Sequence, residues 1–301
     1  MILITGAAGF IGSCLIKKIV NTHKIIGIDD FSNGSKDNLI KHKNFTFLRG
    51  DCGDSNLLKK IKNIKIIIHI AGQSSGEKSF EDPLNDFKRN TYTTHKLLDY
   101  AVKNNCKQFI YTSSMSVYGN QSKKKLSENT QTYPNSFYGL SKKASENSII
   151  KFKEKGINYT ILRIFNVYGS EQKLKDSKHG MIRIYLTQIF KKKSLIIKGS
   201  GKRLRDFIHI DDLLKYFEII INNKKFFNKT LNVATGKRTS VQSLVSLIKK
   251  KINFKFKVKY QKGTKDDQFS AVADIKRIAK LSKFKPQISL NEGLNEIIRH
   301  K

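Results

Sequence analysis

A set of three glycines between a short apolar strand and a helix constrains this fold most strongly. Gly6, Gly9 and Gly12 in ITGAAGFIGS have a G-x-x-G-x-x-G spacing and directly follow the apolar stretch Ile2–Thr5. The first glycine allows a tight turn, the second lets backbone N–H groups approach a pyrophosphate, and the third lets the helix pack closely on the sheet. In this context the spacing predicts a dinucleotide-binding strand–turn–helix unit.

The first half of the chain alternates short β-branched runs with helical patterns. The predicted strands are Ile2–Thr5, Lys24–Asp29, Phe45–Leu48, Ile64–Ile70, Gln108–Thr112 and Tyr159–Phe165. The clearest helices between them are Ile11–Val20, Pro83–Lys103 and Tyr138–Lys153. This alternation predicts a Rossmann-type α/β fold, in which a doubly wound parallel sheet is covered by helices on both faces.

The second half is less regular and predicts a smaller, mixed α/β domain for substrate binding. We expect the dinucleotide-binding domain at residues 1–168, rejoined by about 206–235. The remainder of 169–301 would form the discontinuous second domain. A chain of 301 residues with 39% hydrophobic residues is long enough to bury such a core.

The composition restricts the cellular compartments and the classes of partner that are expected for this protein. No apolar run reaches about eighteen residues, so no membrane span is expected. The chain begins with a strand rather than a cleavable signal, and its three scattered cysteines have no metal or redox spacing. We therefore expect a cytoplasmic protein with reduced thiols and no metal.

The net charge of +34 raises the alternative of a nucleic-acid binder. Only nine of the 58 basic residues are arginine, and the lysines are spread along the chain without interleaved aromatic residues. This pattern favours a diffuse compositional bias over a nucleic-acid surface. An anionic substrate would also be attracted to such a protein.

Two acidic residues at predicted strand ends indicate which dinucleotide is bound. Asp29 ends the second strand, where its carboxylate would accept hydrogen bonds from the adenosine ribose and repel a 2′-phosphate. This position favours NAD over NADP, although Asp29 could also be an ordinary turn residue in DDFSNG. Asp51 ends the third strand at a similar edge, where the adenine would lie.

A serine, a tyrosine and a lysine form the candidate catalytic group. Ser114 is the last of three hydroxyl residues after the fifth strand, and Tyr138 and Lys142 are four residues apart on a predicted helix. A free tyrosine has a pKa of about 10, which is too high for a base at neutral pH. A nearby ammonium group and an oxidised nicotinamide would lower that pKa.

With these motifs, the chain resembles the extended short-chain dehydrogenase/reductases, in particular the nucleotide-sugar epimerases of the UDP-glucose 4-epimerase type. The resemblance runs nearly end to end. It rests on the segments TGAAGFIG, IGIDDFSNG, IIIHIAGQ, TSSMSVYG, YGLSK, LRIFNVYG, RLRDFIHIDDL and AVAD.

The resemblance implies a role for each matching position. Ser114 would hydrogen-bond the reacting sugar oxygen, Tyr138 would remove its proton, and Lys142 would bind the nicotinamide ribose. The residues implied to line the NAD site are Gly6, Gly9, Phe10, Ile11, Gly12, Asp29, Asp30, Phe31, Ser32, Asn33, Gly34, Asp51, Cys52, Ala71, Gly72, Gln73, Asn90, Tyr138, Lys142 and Phe165. Those implied to contact the substrate are Ser74, Ser114, Tyr138, Asn166, Arg205, Asp267 and Ala271.

The implied reaction is NAD-dependent C4 epimerisation of a UDP-hexose or UDP-N-acetylhexosamine through a transient 4-keto sugar. The alternative is an NAD(P)H-dependent nucleotide 4-keto-sugar reductase with the same catalytic group. Relatives form homodimers through two long helices, and Leu97, Leu98, Ala101 and Ala144 fit either such an interface or core packing. By analogy, the product would serve polysaccharide biosynthesis.

Several positions depart from the family pattern. Met115 and Ser116 stand where dehydratases carry an acidic pair, so water elimination is not expected. Ser74 replaces a lysine of several 4-epimerases, and an asparagine of the uracil loop is replaced within HGMIR at 179–183. Thr264 replaces an arginine that assists the diphosphate, and Lys262 or Lys265 are the candidates to substitute for it.

Ala271 stands where glucose-restricted relatives carry a bulky tyrosine. A smaller residue there would widen the sugar pocket. This departure leads us to expect that N-acetylhexosamine substrates are accepted.

Overall fold

A computed structural model describes residues 1–121, 125–171, 180–265 and 267–299. The first residue of the HGMIR segment, His179, lies outside this part of the chain. The strands, in chain order, are β1 (Ile2–Thr5), β2 (Ile25–Asp29), β3 (Phe45–Arg49), β4 (Ile66–His69), β5 (Gln108–Ser114), β6 (Tyr159–Ile164), β7 (Asn166–Tyr168), β8 (Ser194–Lys198), β9 (Leu204–Arg205), β10 (Phe207–His209), β11 (Lys229–Val233), β12 (Thr239–Ser240), β13 (Lys257–Gln261) and β14 (Ser270–Ala271).

Seven of these strands form one parallel sheet in the order β3-β2-β1-β4-β5-β6-β11. The order reverses between β1 and β4, which pair in register from Ile2 with Ile66 to Thr5 with His69. At such a reversal the loops after the two strands diverge and leave a crevice at their carboxyl ends. The predicted doubly wound parallel sheet is confirmed, and β11 joins it as a seventh strand beside β6.

The helices are α1 (Phe10–Ile19), α2 (Ser55–Lys59), α3 (Pro83–Phe87), α4 (Thr93–Lys103), α5 (Phe137–Phe152), α6 (Met181–Lys192), α7 (Ile210–Ile220), α8 (Val241–Lys251), α9 (Lys276–Ser282) and α10 (Leu290–Arg299). Helices α1 and α7 pack together on one face of the sheet, and α4 and α5 pack together on the other. The β-branched strands are buried on both faces, because each face is covered by an apolar helix surface.

The predicted helix Pro83–Lys103 is interrupted. A π-helical turn, Lys88–Tyr92, separates α3 from α4. The wider turn places Arg89 and Asn90 differently from a continuous α-helix, and π turns are frequent at functional sites.

The second half contributes two small sheets beyond the main one, β12-β9-β14 and β13-β8, while β7 and β10 form a short parallel pair. A separate apolar cluster lies among α6, β8, α8 and α10, with Leu186, Leu195 and Leu294 fully buried. The domain boundary at residue 168 stays a prediction. Within the described part of the chain, no helix is both long and apolar enough to cross a membrane.

Candidate active site

A cavity of about 890 Å³ opens at the carboxyl ends of the central strands. Most residues implied for the cofactor site line it: Gly6, Gly9, Phe10, Ile11, Gly12, Asp29, Asp30, Ser32, Asn33, Gly34, Asp51, Cys52, Ala71, Gly72, Gln73, Tyr138, Lys142 and Phe165. The substrate candidates that line it are Ser74, Ser114, Tyr138, Asn166, Arg205 and Asp267. The structure therefore brings most of the sequence candidates into one continuous cavity.

Three candidates lie away from the cavity wall. Phe31 packs its ring 5.3 Å from that of Phe47, with a positive φ of 63°. Asn90 is fully buried behind the wall, where a Cβ on Gly72 would overlap its Oδ1 atom. Ala271 is fully buried in a small apolar cluster with Phe165, so the structure gives no support to a pocket widened at residue 271.

The glycine turn forms a tight cradle between β1 and α1. Gly6 has a φ of +74°, which side chains rarely adopt, and a Cβ there would lie 2.9 Å from the backbone nitrogen of Ala71. A Cβ on Gly12 would overlap the carbonyl oxygen of Gly6. Helix α1 begins after Gly9 without a side-chain cap, so the N–H groups of its first turn are available to an anion at the cavity wall.

A matched pair of substitutions tests this cradle. Gly12→Ala is expected to separate α1 from β1 and to abolish NAD retention through purification, because the added Cβ overlaps backbone rather than a movable side chain. Ser13→Ala, in the same helical turn, should retain NAD. The check is release of nucleotide from the denatured protein, quantified by chromatography. If purified Gly12→Ala retains one equivalent of NAD per protein chain, this account of the cradle is wrong.

Asp29 is oriented by the backbone at the end of β2. Its Oδ2 accepts a hydrogen bond from Ala8 N–H at 2.9 Å and its Oδ1 accepts one from Phe31 N–H at 2.8 Å. Burial raises the pKa of Asp29, and these two hydrogen bonds act in the opposite direction. The carboxylate is thereby held at the cavity wall, with lone pairs left for ribose hydroxyl groups.

The cavity residues fit NAD. The cradle at Gly6, Gly9 and Gly12 would take the pyrophosphate, and the fixed carboxylate of Asp29 would take the adenosine ribose while opposing a 2′-phosphate. When bound, NAD supplies a reversible acceptor for hydride. The chain's own contribution is to orient the cofactor and to place an acid–base group beside it.

The catalytic candidates converge where β5 ends and α5 begins. Ser114 Oγ accepts a hydrogen bond from Ser116 N–H at 3.1 Å, which fixes the serine at the strand end. Tyr138 lies in the first turn of α5, whose N-cap Ser136 accepts from Gly139 N–H at 3.1 Å. Burial raises the pKa of Tyr138 to about 12, a hydrogen bond with Ser114 opposes this rise, and the charge of Asp86 adds to it.

Lys142 is held next to the tyrosine. Its Nζ donates to the carbonyl oxygen of Thr112 at 3.0 Å and lies 5.9 Å from the Tyr138 ring centroid. Burial lowers the pKa of Lys142 to about 8, while Asp86 and Glu146 raise it. The ammonium form therefore persists at neutral pH, close to the phenol whose deprotonation it would assist.

The pKa of Lys142 carries a prediction about stability. The buried ammonium group destabilises the folded state below pH 8, and this penalty disappears as pH rises from about 8 to 10.5, because the unfolded state binds the extra proton in that window. Lys142→Met in nucleotide-free protein should therefore be more stable than wild type at pH 7, on the order of 1–3 kcal/mol. In thermal melts, the difference in stability between Lys142→Met and wild type should be smaller at pH 10 than at pH 7. If this difference is the same at both pH values, the charge of Lys142 is not its cause.

The sequence reasoning missed Arg89, which lines the cavity, and Asp86, which is buried and does not line it. Arg89 donates to Asp30 Oδ2 at 3.0 Å and to Ser32 Oγ at 2.9 Å, which anchors the loop after β2. Asp86 is buried and accepts from Ser141 Oγ at 2.5 Å, while Asn90 Nδ2 donates to the same hydroxyl. No local signal marked these pairs, because they join segments more than fifty residues apart through the π turn.

Residues at the opposite end of the cavity come from the second half of the chain. Asn166 Nδ2 donates to the carbonyl oxygen of Asp206 at 3.0 Å. Arg205 is buried and contacts Asp267 Oδ1 through Nη2 at 3.0 Å. Arg203, which the sequence reasoning did not single out, contacts the same oxygen through Nη1 at 2.5 Å.

Comparison with known proteins identifies the family of this chain. The sequence profile of the NAD dependent epimerase/dehydratase family matches residues 2–234. A putative UDP-glucose 4-epimerase of Methanocaldococcus jannaschii is 35% identical over 303 residues, covering 99% of this chain and 97% of the relative.

Two solved structures have nearly the same fold. A UDP-N-acetylglucosamine 4-epimerase from Methanobrevibacter ruminantium, in complex with UDP-N-acetylmuramic acid, has a TM-score of 0.92 and 30% identity, with coverage of 99% and 97%. A UDP-glucuronic acid 4-epimerase from Bacillus cereus, in complex with UDP-glucuronic acid and NAD, has a TM-score of 0.92 and 28% identity, with coverage of 99% and 98%. On the profile match and the near full-length similarity, this chain belongs to the NAD-dependent epimerase/dehydratase family, whose cofactor is NAD.

Proposed function

We propose that this enzyme interconverts the C4 epimers of a UDP-hexose or UDP-N-acetylhexosamine through a transient 4-keto sugar. The observation that carries the proposal is the convergence of Ser114, Tyr138 and Lys142 in one cavity, between the glycine cradle and the buried Arg205. A nucleotide sugar that spans from the arginine to the tyrosine would place its hexose beside the nicotinamide end of the site.

Each catalytic residue has a defined role in this proposal. Ser114 donates a hydrogen bond to the reacting sugar oxygen, and Tyr138 takes the proton from the sugar hydroxyl group and later returns it. Lys142 stabilises the phenolate and holds the cofactor ribose. The cavity of about 890 Å³ gives the keto sugar room to present its other face.

The residues after Ser114 support epimerisation over water elimination. Met115 Sδ lies 3.6 Å from Asn166 Nδ2, and Ser116 Oγ lies 3.1 Å from Ser114 Oγ. A thioether and a serine hydroxyl cannot act as the acid and base of a dehydration at neutral pH. The chemistry available at this end of β5 is proton exchange with a hydroxyl group.

The proposal is tested by incubating purified enzyme, without added cofactor, with UDP-glucose, UDP-N-acetylglucosamine, UDP-glucuronic acid and their C4 epimers. Chromatographic separation of epimers from at least one pair would support it and would name the sugar. If the protein is purified free of nucleotide and instead consumes NAD(P)H with a 4-keto-sugar nucleotide, the reductase alternative replaces it.

We also propose a homodimer, formed by an apolar surface on helices α3 and α5. Of the residues named from the sequence, Leu97, Leu98 and Ala101 are fully buried within the protomer, so core packing explains them, whereas Ala144 on α5 is half-buried. The exposed apolar residues on these two helices are Leu84, Phe87, Phe137, Leu140 and Ile150, with Leu84 83% and Leu140 56% exposed. A surface of this kind favours association.

If this surface forms the dimer interface, a charged residue placed on it should weaken dimerisation. Leu140→Glu should shift the protein from dimer to monomer in sedimentation velocity, because a carboxylate would lose its hydration in the interface. Ser246→Glu, an exposed position on α8, serves as the control and should leave the mass unchanged. A wild-type protein that sediments as a monomer at micromolar concentration would refute the proposal.

A further inference from the structure

Two buried arginines meet at one carboxylate in the half of the cavity remote from the glycine cradle. Arg203 and Arg205 are 6% and 5% exposed, and both line the cavity. Their guanidinium groups contact the same atom, Asp267 Oδ1, at 2.5 and 3.0 Å. Burial of a cation is costly unless it is paired. Among the described residues these two cations share the one carboxylate of Asp267, which leaves positive charge facing the cavity.

The backbone fixes the orientation of both guanidinium groups. Arg203 Nε donates to the carbonyl oxygen of Ser200 at 2.9 Å. Arg205 Nη1 donates to the carbonyl oxygens of Leu204 and Gln268 at 2.9 and 2.7 Å. These contacts hold the planar groups in place before any ligand arrives, so little side-chain entropy remains to be lost on binding.

The turn before β9 is shaped around the first of these arginines. Gly199 has a φ of +82°, and a Cβ there would lie 3.1 Å from both Cζ and Nε of Arg203. The same Cβ would lie 2.5 Å from Asp267 Oδ2. A side chain at residue 199 would therefore displace the arginine or the carboxylate.

The two lysines considered from the sequence are placed less suitably. Lys262 and Lys265 are both exposed, and neither is among the residues lining the cavity. The Nζ of Lys265 lies 5.7 Å from the ring centroid of Phe80 instead. Thr264 does line the cavity, but it carries no charge.

We propose that Arg203 is a second diphosphate-binding residue, which acts beside Arg205 and replaces the guanidinium group that position 264 lacks. Asp267 is the positioning residue that holds the two guanidinium groups together. The inference rests on the proposed function, because it takes a nucleoside diphosphate sugar as the substrate. Charged, fork-shaped donors are well matched to phosphate oxygens, and two adjacent forks can contact both phosphate groups.

The test is calorimetric titration of the NAD-loaded protein with UDP, UMP, dTDP and GDP. Arg203→Gln should weaken binding of UDP about 10- to 100-fold and binding of UMP much less, because a charged hydrogen bond to the second phosphate is lost. Lys202→Gln removes one positive charge from the adjacent exposed position and should change the affinity for UDP less than twofold. In turnover, Arg203→Gln should raise KM and leave kcat nearly unchanged.

Each outcome distinguishes the inference from the proposed function. If Arg203→Gln binds UDP as tightly as wild type, Arg203 only supports Asp267 and the inference is wrong. If wild type binds dTDP or GDP instead of UDP and Arg203→Gln loses that affinity, the inference holds and the uridine assignment falls. If no nucleoside diphosphate binds to wild type, both the inference about Arg203 and the proposed function are wrong. Should Arg203→Gln not fold, Arg203→Lys takes its place, and unchanged UDP affinity in that variant would overturn the inference.

Discussion

Tyr138→Phe is expected to lower kcat by about 100- to 10,000-fold, because it removes the only atom of this side chain that can exchange a proton with the sugar. The ring and its packing remain, so retained NAD and the thermal midpoint should stay close to wild type. The measurement is the rate of epimer formation at saturating substrate.

Tyr133→Phe provides the matched control for this substitution. Tyr133 is 60% exposed and does not line the cavity, so loss of its hydroxyl group should not change the rate. Equal turnover by Tyr138→Phe and wild type would remove the tyrosine from the mechanism. Loss of bound NAD in Tyr138→Phe would instead assign the effect to cofactor binding.

The second large effect concerns a buried ion pair that supports the catalytic helix. Glu146 of α5 is fully buried and accepts from Arg163 Nε at 2.9 Å and Nη2 at 2.7 Å. It also accepts from Ser113 Oγ at 2.6 Å. Glu146→Gln should lower the free energy of unfolding by about 3–5 kcal/mol, because it leaves the buried guanidinium of Arg163 without its counter-charge.

Chemical denaturation of a small set of variants distinguishes the contribution of this buried ion pair to stability from that of an exposed ion pair. Glu154→Gln, which breaks an exposed contact with Lys151, should unfold at the wild-type denaturant concentration. The double variant Glu146→Leu with Arg163→Met should recover much of the loss, because the buried guanidinium group left without a counter-charge by Glu146→Gln is removed as well. If Glu146→Gln alone unfolds like wild type, the pair does not stabilise α5 against the sheet.

The three hydroxyl residues at the end of β5 have different partners, and one of them contacts this ion pair. Thr112 Oγ1 donates to the carbonyl oxygen of His69 at 3.1 Å, and Ser113 donates to Glu146, so both are engaged in the core. All three residues line the cavity, and Ser114 is the one whose hydroxyl group forms a hydrogen bond with Tyr138. The strand end therefore places two hydroxyl groups in structural contacts and that of Ser114 beside the candidate catalytic tyrosine.

The sequence was sufficient for the parallel sheet and for most of the cavity wall. Strand–helix periodicity is a local property of the sequence. The glycine spacing likewise indicates the positions at which the backbone leaves no room for a side chain. Asp29, Ser114 and the Tyr138–Lys142 pair stand at the ends of elements, where the carboxyl edge of a parallel sheet gathers them. Their proximity therefore follows from the order of the strands once the fold is known.

The sequence was insufficient wherever contact depends on distant segments. Arg89, which contacts Asp30, lies in a π turn that interrupts a helix predicted as continuous from its periodicity. Ala271 was expected at the sugar, yet it is buried beside Phe165 behind the cavity wall.

Amino-acid pattern alone determined the Rossmann-type sheet, the NAD cradle and the serine–tyrosine–lysine group of this protein, because each is encoded by spacing within one or two adjacent elements. The tertiary structure decided which charges share the half of the cavity remote from the glycine cradle. Arg203, Arg205 and Asp267 are brought together by pairing between β9 and β14, strands of two residues each that no local periodicity can reveal. Such short strands are stabilised by the surrounding packing rather than by their own sequence, so their register, and with it the arginine pair, exists only in the folded chain.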